Sequence, residues 1–243
     1  MFSIFKPTAK KASTPLTCDI HSHLLPDMDD GVKTFEESWQ IIQRFEDLGY
    51  RKLITTPHIM NDFYRNTTVG IQTKKDQLIS FLNEKNSSIQ IEAAAEYYLD
   101  ESLIQSIDNN EKLMTFGQER YVLFETNFLT EPYQLNDFIF KITTQRYKPV
   151  LAHPERYEYL NKNFTKMEDL RNRGVVFQLN ILSLIGFYSV PIQKMAEGMI
   201  DKGWIDFIGS DCHNEQYSIL IEKAQRTKYF KKALDLPLLN HML

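Results

Sequence analysis

Seven short apolar runs recur along the chain, each ending in a polar residue, and six endings are metal-ligating types: His21 and His23, His58, Glu96, Glu125, His153, then Asp211 with His213. The runs cover 18–21, 52–56, 89–96, 121–125, 149–153, 175–180 and 206–210, and most are continuous enough to read as strands buried on both faces. Stretches of helical periodicity separate them, over 34–48, 67–84, 98–107, 133–145, 162–173, 190–202 and 214–227. The first is the clearest: Thr34 and Glu37 form a capping-box pattern, Phe35, Trp39, Ile42, Phe45 and Leu48 recur at helical spacing, and Gly49 follows as the stop. Strand and helix thus alternate about seven times, which predicts an α/β fold with a parallel sheet that right-handed crossovers can close into a barrel. An open doubly wound sheet is the alternative. In a barrel, the C-terminal strand ends converge on one face. Five of the six histidines would then meet there.

Size and charge narrow the function. A chain of 243 residues with 42% hydrophobic content suits one α/β barrel and a sizeable core. A net charge of -4 with dispersed basic residues leaves no electrostatic footprint for a nucleic-acid backbone, so no nucleic-acid partner is expected. Two cysteines, Cys18 and Cys212, make no disulfide framework and fit a reducing compartment, hence the cytoplasm. The apolar opening, residues 1–5, is too short for a secretory core and is followed, not preceded, by Lys6; neither signal peptide nor membrane span is expected. Lys6, Lys10 and Lys11 around Pro7 mark 1–16 as a flexible basic tail ahead of one domain, 17–243.

The local chemistry points to metal. In His21-Ser22-His23, alternate residues of an extended segment face the same way and let two imidazoles grip one ion. Asp211-Cys212-His213 repeats that spacing at the other end of the chain, and a closed barrel makes first and last strands neighbours. His58 and His153 end apolar runs where a lone histidine is otherwise a hydrogen-bonded core residue. Glu96 and Glu125 end runs where an unpaired carboxylate is costly, so a cation or a salt bridge is required. Asp30, in an acidic turn before Gly31, brings the candidates to nine: five His, two Glu and two Asp. One zinc would use three or four. Nine point to two or three ions.

In order along the chain stand Cys18-Asp-Ile-His-Ser-His23 with Asp30-Gly31, Thr56-Pro-His58, Ala95-Glu96-Tyr-Tyr98, Phe124-Glu125, Ala152-His-Pro-Glu-Arg-Tyr157 and Ser210-Asp-Cys-His-Asn214. These resemble the motifs of the polymerase and histidinol phosphatase (PHP) superfamily, and more closely the manganese-dependent bacterial tyrosine-protein phosphatases of capsule and exopolysaccharide clusters. The resemblance runs from about residue 17 to residue 220. It implies a distorted (β/α)7 TIM-like barrel and a centre of two to three divalent ions, manganese first, with Fe, Zn or Co also accepted. The implied ligands are His21, His23, Asp30, His58, Glu96, Glu125, His153, Asp211 and His213, with Glu125 bridging two ions. The implied partner is a phosphotyrosyl protein, an autophosphorylating tyrosine kinase.

The chemistry expected of such a centre is phosphomonoester hydrolysis by metal-activated water, without a covalent intermediate. Arg156, three residues past a ligand, is the candidate for forked phosphate contact; Asp211, or a water held by His213, is the candidate proton donor. Tyr97, Tyr98 and Tyr157 are candidates to stack on a phenyl ester, with barrel packing as their other role. Cysteine-dependent phosphatases need Arg six positions after the nucleophile, but Leu24 and Ser218 stand there. Two segments depart from the family pattern: 59–65 lacks its basic stretch, with Arg65 as a partial replacement, and 214–218 lacks its further Arg. Competing readings are a small-molecule phosphatase for histidinol or sugar phosphates, a metal-dependent amidohydrolase, and a metal-bound scaffold protein. Amidohydrolase barrels commonly carry a modified Lys where Glu125 stands here.

Overall fold

Pro57 has no backbone N–H and interrupts the second apolar run, and Ala94-Ala95 interrupts the third, so seven expected runs become nine strands. The structure is a computed structural model that describes residues 15–161 and 163–243. Its strands are β1 (Cys18–Asp19), β2 (Lys52–Thr55), β3 (His58–Ile59), β4 (Gln90–Ala93), β5 (Glu96–Tyr98), β6 (Tyr121–Glu125), β7 (Lys148–Ala152), β8 (Val176–Asn180) and β9 (Phe207–Gly209). All pair in parallel, as β1-β2-β4 and as β3-β5-β6-β7-β8-β9. Because β3 and β5 continue the runs of β2 and β4, the two sheets are successive tiers of one wall.

The wall returns on itself at the C-terminal strand ends. An isolated parallel bridge pairs Ser22 with Cys212, and His23 N donates to Cys212 O at 2.9 Å while Asp211 N donates to His21 O at 2.7 Å. At the opposite end of this seam Asn240 stands between the strands. Its Nδ2 donates to Cys18 O and Ile208 O, and its Oδ1 accepts from Ile208 N. The result is a distorted seven-run α/β barrel, closed by a bridge and a side chain rather than by a continuous ladder.

The helices are α1 (Phe35–Asp47), α2 (Thr68–Glu84), α3 (Glu101–Asp108), α4 (Leu135–Thr144), α5 (Phe164–Asn172), α6 (Val190–Asp201), α7 (Glu215–Gln225) and α8 (Lys228–Ala233). Thr34 caps α1 by accepting from Glu37 N, but Glu37 reaches Lys33 N rather than completing the box on Thr34. The third helix begins later than its periodicity predicts, because 96–98 is strand and Asp100 then caps Leu103 N. Helix α8 carries no sequence expectation; its six residues are too few for a periodic signal. The large core packs helices on strands, and a smaller cluster from Cys18, Ile20, Ile54, Ala94, Leu123, Val150, Ala152 and Phe207 joins the runs to one another. Of the expected tail, 1–14 lie outside the described residues, while Leu16 is buried in the core.

Candidate metal centre

Strand register sets the centre. His58 on β3 lies directly beside Glu96 on β5, and Tyr98 beside Glu125, so two carboxylates and an imidazole reach one end of the wall from adjacent strands. His153 and Asp211 follow β7 and β9 with φ of 35° and 51°, a left-handed backbone that non-glycine residues rarely adopt and that turns each side chain away from the strand's alternation. Gly31 and Gly209 permit close approach: a Cβ at Gly31 would lie 2.2 Å from His23 O, and one at Gly209 2.7 Å from both His21 Cβ and Gln178 Nε2.

The nine candidates come together. Three overlapping sets have donor atoms within reach of one ion: His21, His23, Glu96 and Asp211; His23, Asp30, His58 and His213; and His58, Glu96 and Glu125. His153 lies outside these sets, yet its Nε2 is 3.3 Å from Glu96 Oε1 and 3.8 Å from Glu125 Oε2. Glu96 Oε2 is the hub, at 3.1 Å from His21 Nε2, 3.4 Å from His23 Nε2 and 3.2 Å from His58 Nδ1. Glu96 belongs to two of the three donor sets and Glu125 to one, because β5 enters the middle of the cluster while Glu125 meets its His58 and His153 side.

The donor chemistry fits cations. His23 Nδ1 donates to Asp29 Oδ2 at 2.7 Å and His21 Nδ1 to Gln178 Oε1 at 2.9 Å; since both partners only accept, each ring turns the lone pair of Nε2 inward. Those two Nε2 atoms lie 3.3 Å apart, and each is 3.4 Å from Asp211 Oδ1. Glu96 Oε2 is buried without a hydrogen-bond partner. Acceptors converging on acceptors in a buried volume need positive charge between them.

Proton affinities record the same field. Burial opposes the imidazolium of His23, but Asp29 beside it holds the pKa well above the ordinary value; His21 is likewise raised by Glu96 and Asp211 against its burial. Glu96 and Asp211 stay well below the usual carboxylate range despite burial, through the histidines around them. Burial, reinforced by the charges of Glu96 and Asp211, pushes Glu125 well up. Burial and then Arg156 bring His153 down to about 4.

A pocket of about 330 Å³ opens over the cluster, and Phe128, Arg156, Tyr188 and Tyr217 stand in its wall beside the ligand candidates. Arg156 Nη1 donates to Asp211 Oδ2 at 2.9 Å, and its guanidinium lies 4.7 Å over Phe128 and 4.2 Å over Tyr188. Asn180 Nδ2 donates both to Asp211 Oδ2, at 3.0 Å, and to Tyr188 Oη, at 2.8 Å. Arg65 and Tyr98 do not line this pocket. Arg65 donates to Asn61 O on its own loop, and Tyr98 is half-buried. Tyr97 and Tyr157 are packing residues, buried and accepting from Met114 N and Thr126 N.

Asp29, Gln178, Asn180, Phe128, Tyr188 and Tyr217 carry no sequence expectation. For Gln178 and Asn180 a signal existed, since polar residues alternate within the apolar run 176–180 and so share one face. Asp29 is indistinguishable from turn chemistry until the fold sets it against His23. The aromatics come from separate loops.

Comparison with known proteins agrees with this architecture. The family described as capsular polysaccharide synthesis, CpsB/CapC, matches residues 17–233. CapC of Staphylococcus aureus is 29% identical over 196 residues, 81% of this chain and 76% of that protein. The tyrosine-protein phosphatase CpsB of Streptococcus pneumoniae is 26% identical over 233 residues, 90% of this chain and 96% of its own. Among solved structures, the metal-dependent tyrosine phosphatases YwqE of Bacillus subtilis and CpsB of Streptococcus pneumoniae share the fold, with a TM-score of 0.76, 24% identity, and 87% and 89% of the two chains covered.

Proposed function

Because the chain belongs to the capsular polysaccharide synthesis CpsB/CapC family, we propose that it is a metal-dependent phosphomonoesterase that hydrolyses phosphotyrosine on proteins. The observation that carries this reading is the convergence of three His/carboxylate sets on one pocket with the Arg156 guanidinium in its wall. We assign His21, His23, Asp30, His58, Glu96, Glu125, His153, Asp211 and His213 to two to three divalent ions. The mixed imidazole and carboxylate set accepts Mn²⁺, our first assignment, and also Fe²⁺, Zn²⁺ or Co²⁺. Such ions, when bound, supply Lewis-acid charge to phosphoryl oxygens and make a water acidic enough to attack near neutral pH.

The chain's own groups do the rest. Arg156 offers the phosphoryl oxygens the N–H groups that Asp211 leaves free, and Asp211 orients that fork as a carboxylate. His213 Nδ1 donates to Asp211 O at 2.8 Å, which directs Nε2 to the pocket as the atom that would face an ion, and the leaving-group proton would come from a water held there. A phenolate is a tolerable leaving anion, so modest acid assistance suffices. Neither cysteine takes part, since both are buried thiols with raised pKa values.

The substrate we assign is an autophosphorylating tyrosine kinase of capsule or exopolysaccharide biosynthesis, met in the cytoplasm; the family's description supports the pathway. Among the described residues no helix is long and apolar enough to cross a membrane. The test is hydrolysis by metal-stripped protein restored in turn with Mn²⁺, Fe²⁺, Zn²⁺ and Mg²⁺, on phosphotyrosine and phosphoserine peptides, histidinol phosphate and sugar phosphates, with His21→Ala as control. Restored activity strongest on phosphotyrosine and lost in the variant is expected. Preference for a small phosphate moves the chain to small-molecule chemistry, and no turnover with any metal removes the phosphatase reading.

A further inference from the structure

The pocket wall contains more aromatic surface than an ion centre needs. From the β6–α4 loop, Phe128 stacks on His153 at 5.6 Å and on Tyr157 at 5.4 Å, and the Arg156 guanidinium lies over its ring. Beyond Arg156 comes Tyr188, then Phe187 edge-on to Tyr188 at 5.0 Å and to Tyr217 at 5.1 Å, and Tyr217 ends the row 5.8 Å from the His213 ring. The contacts thus run as an arc from one ligand candidate to another, with Phe128, Tyr188 and Tyr217 in the pocket wall and Phe187 linking Tyr188 to Tyr217. Phe128 is 36% exposed and Phe187 41%, so part of this apolar surface faces solvent.

Arg156 sits inside this arc with its guanidinium over the Phe128 and Tyr188 rings, and Asp211 takes one of its N–H groups, which leaves others for the pocket. A phosphoryl group on those N–H groups would carry its ester substituent along the arc. A flat aryl ring gains offset or edge-to-face contact with Phe128 or Tyr217, whereas a short alkyl chain finds little to cover.

Resting on the phosphatase reading above, we propose that the arc from Phe128 to Tyr217 is the aryl-recognition wall of the site, with Phe128 and Tyr217 as its specificity-determining side chains. Each offers the ring apolar surface in the pocket wall, while Arg156 takes the phosphoryl group.

The test uses the Mn²⁺-loaded full chain and two non-hydrolysable probes, phenylphosphonate and methylphosphonate, titrated calorimetrically. Native protein is expected to prefer the phenyl probe, and the pair Phe128→Ala with Tyr217→Ala to lose about tenfold of that preference. Phe128→Tyr retains the ring and should keep the preference. Equal loss of both probes in the alanine variant would show that the arc merely positions Arg156 and would overturn the proposal, as would an unchanged preference. Native protein that binds neither probe sinks the phosphatase reading and the arc together, which separates that failure from failure of the arc alone.

Discussion

Asp29 Oδ2 lies 2.7 Å from Nδ1 of His23, and this buried carboxylate also accepts from Gly31 N and His58 N. One side chain therefore fixes a ligand's tautomer, the turn that carries Asp30, and the start of β3. Removing such an outer carboxylate weakens metal binding typically 10- to 100-fold. Asp29→Asn should lower Mn²⁺ affinity within that range in a chelator competition, with the circular dichroism spectrum unchanged. Native affinity in the variant would show that the contact is only structural.

Glu96 belongs to two of the three donor sets, Glu125 to one. Glu96→Gln is accordingly expected to lower the number of ions bound per chain, counted by elemental analysis, by more than Glu125→Gln does. The reverse order would favour Glu125 as the bridge.

At Arg156 the charge is less important than the plane. Lysine keeps the cation but cannot lay a plane over Phe128 and Tyr188 while bonding Asp211 and phosphate together. Arg156→Lys should reduce kcat/KM for a phosphotyrosine peptide by roughly 10²-fold, the scale set by losing one oriented donor to the transition state. A loss under threefold would exclude forked contact.

Burial pushes the Cys18 thiol up to about 12 and raises Cys212 as well. A raised thiol pKa means less thiolate at any given pH, so at pH 8 almost none is available and iodoacetamide should label neither cysteine in the folded protein. Both should label in denaturant. Rapid labelling of the native chain accompanied by loss of activity would reopen a thiol mechanism.

Gly209 has no room for a methyl group between His21 and Gln178. Gly209→Ala should lower stability by about 1–3 kcal/mol through overpacking, measured by urea unfolding, and weaken metal binding because the His21–Gln178 contact shifts. An alanine variant as stable as native would mean that β9 moves without penalty.

The alternation of seven apolar runs with helical stretches, the polar residues at their ends and the acidic turn with Asp30 are local properties of the chain, and they by themselves determine the α/β class and the nine ligand candidates. The strand breaks at Pro57 and Ala94-Ala95 were less legible, since an apolar run does not show where its hydrogen bonding changes partner. Tertiary structure alone decided that Glu96 enters two donor sets and Glu125 one, because that depends on strand register. It also decided what surrounds the ligands. Asp29, Gln178 and Asn180 act through contacts with residues 6, 157 and 31 positions away, and Phe128, Tyr188 and Tyr217 form a wall only once their separate loops meet. Periodicity records what each segment buries; which side chains then meet is a property of the closed barrel.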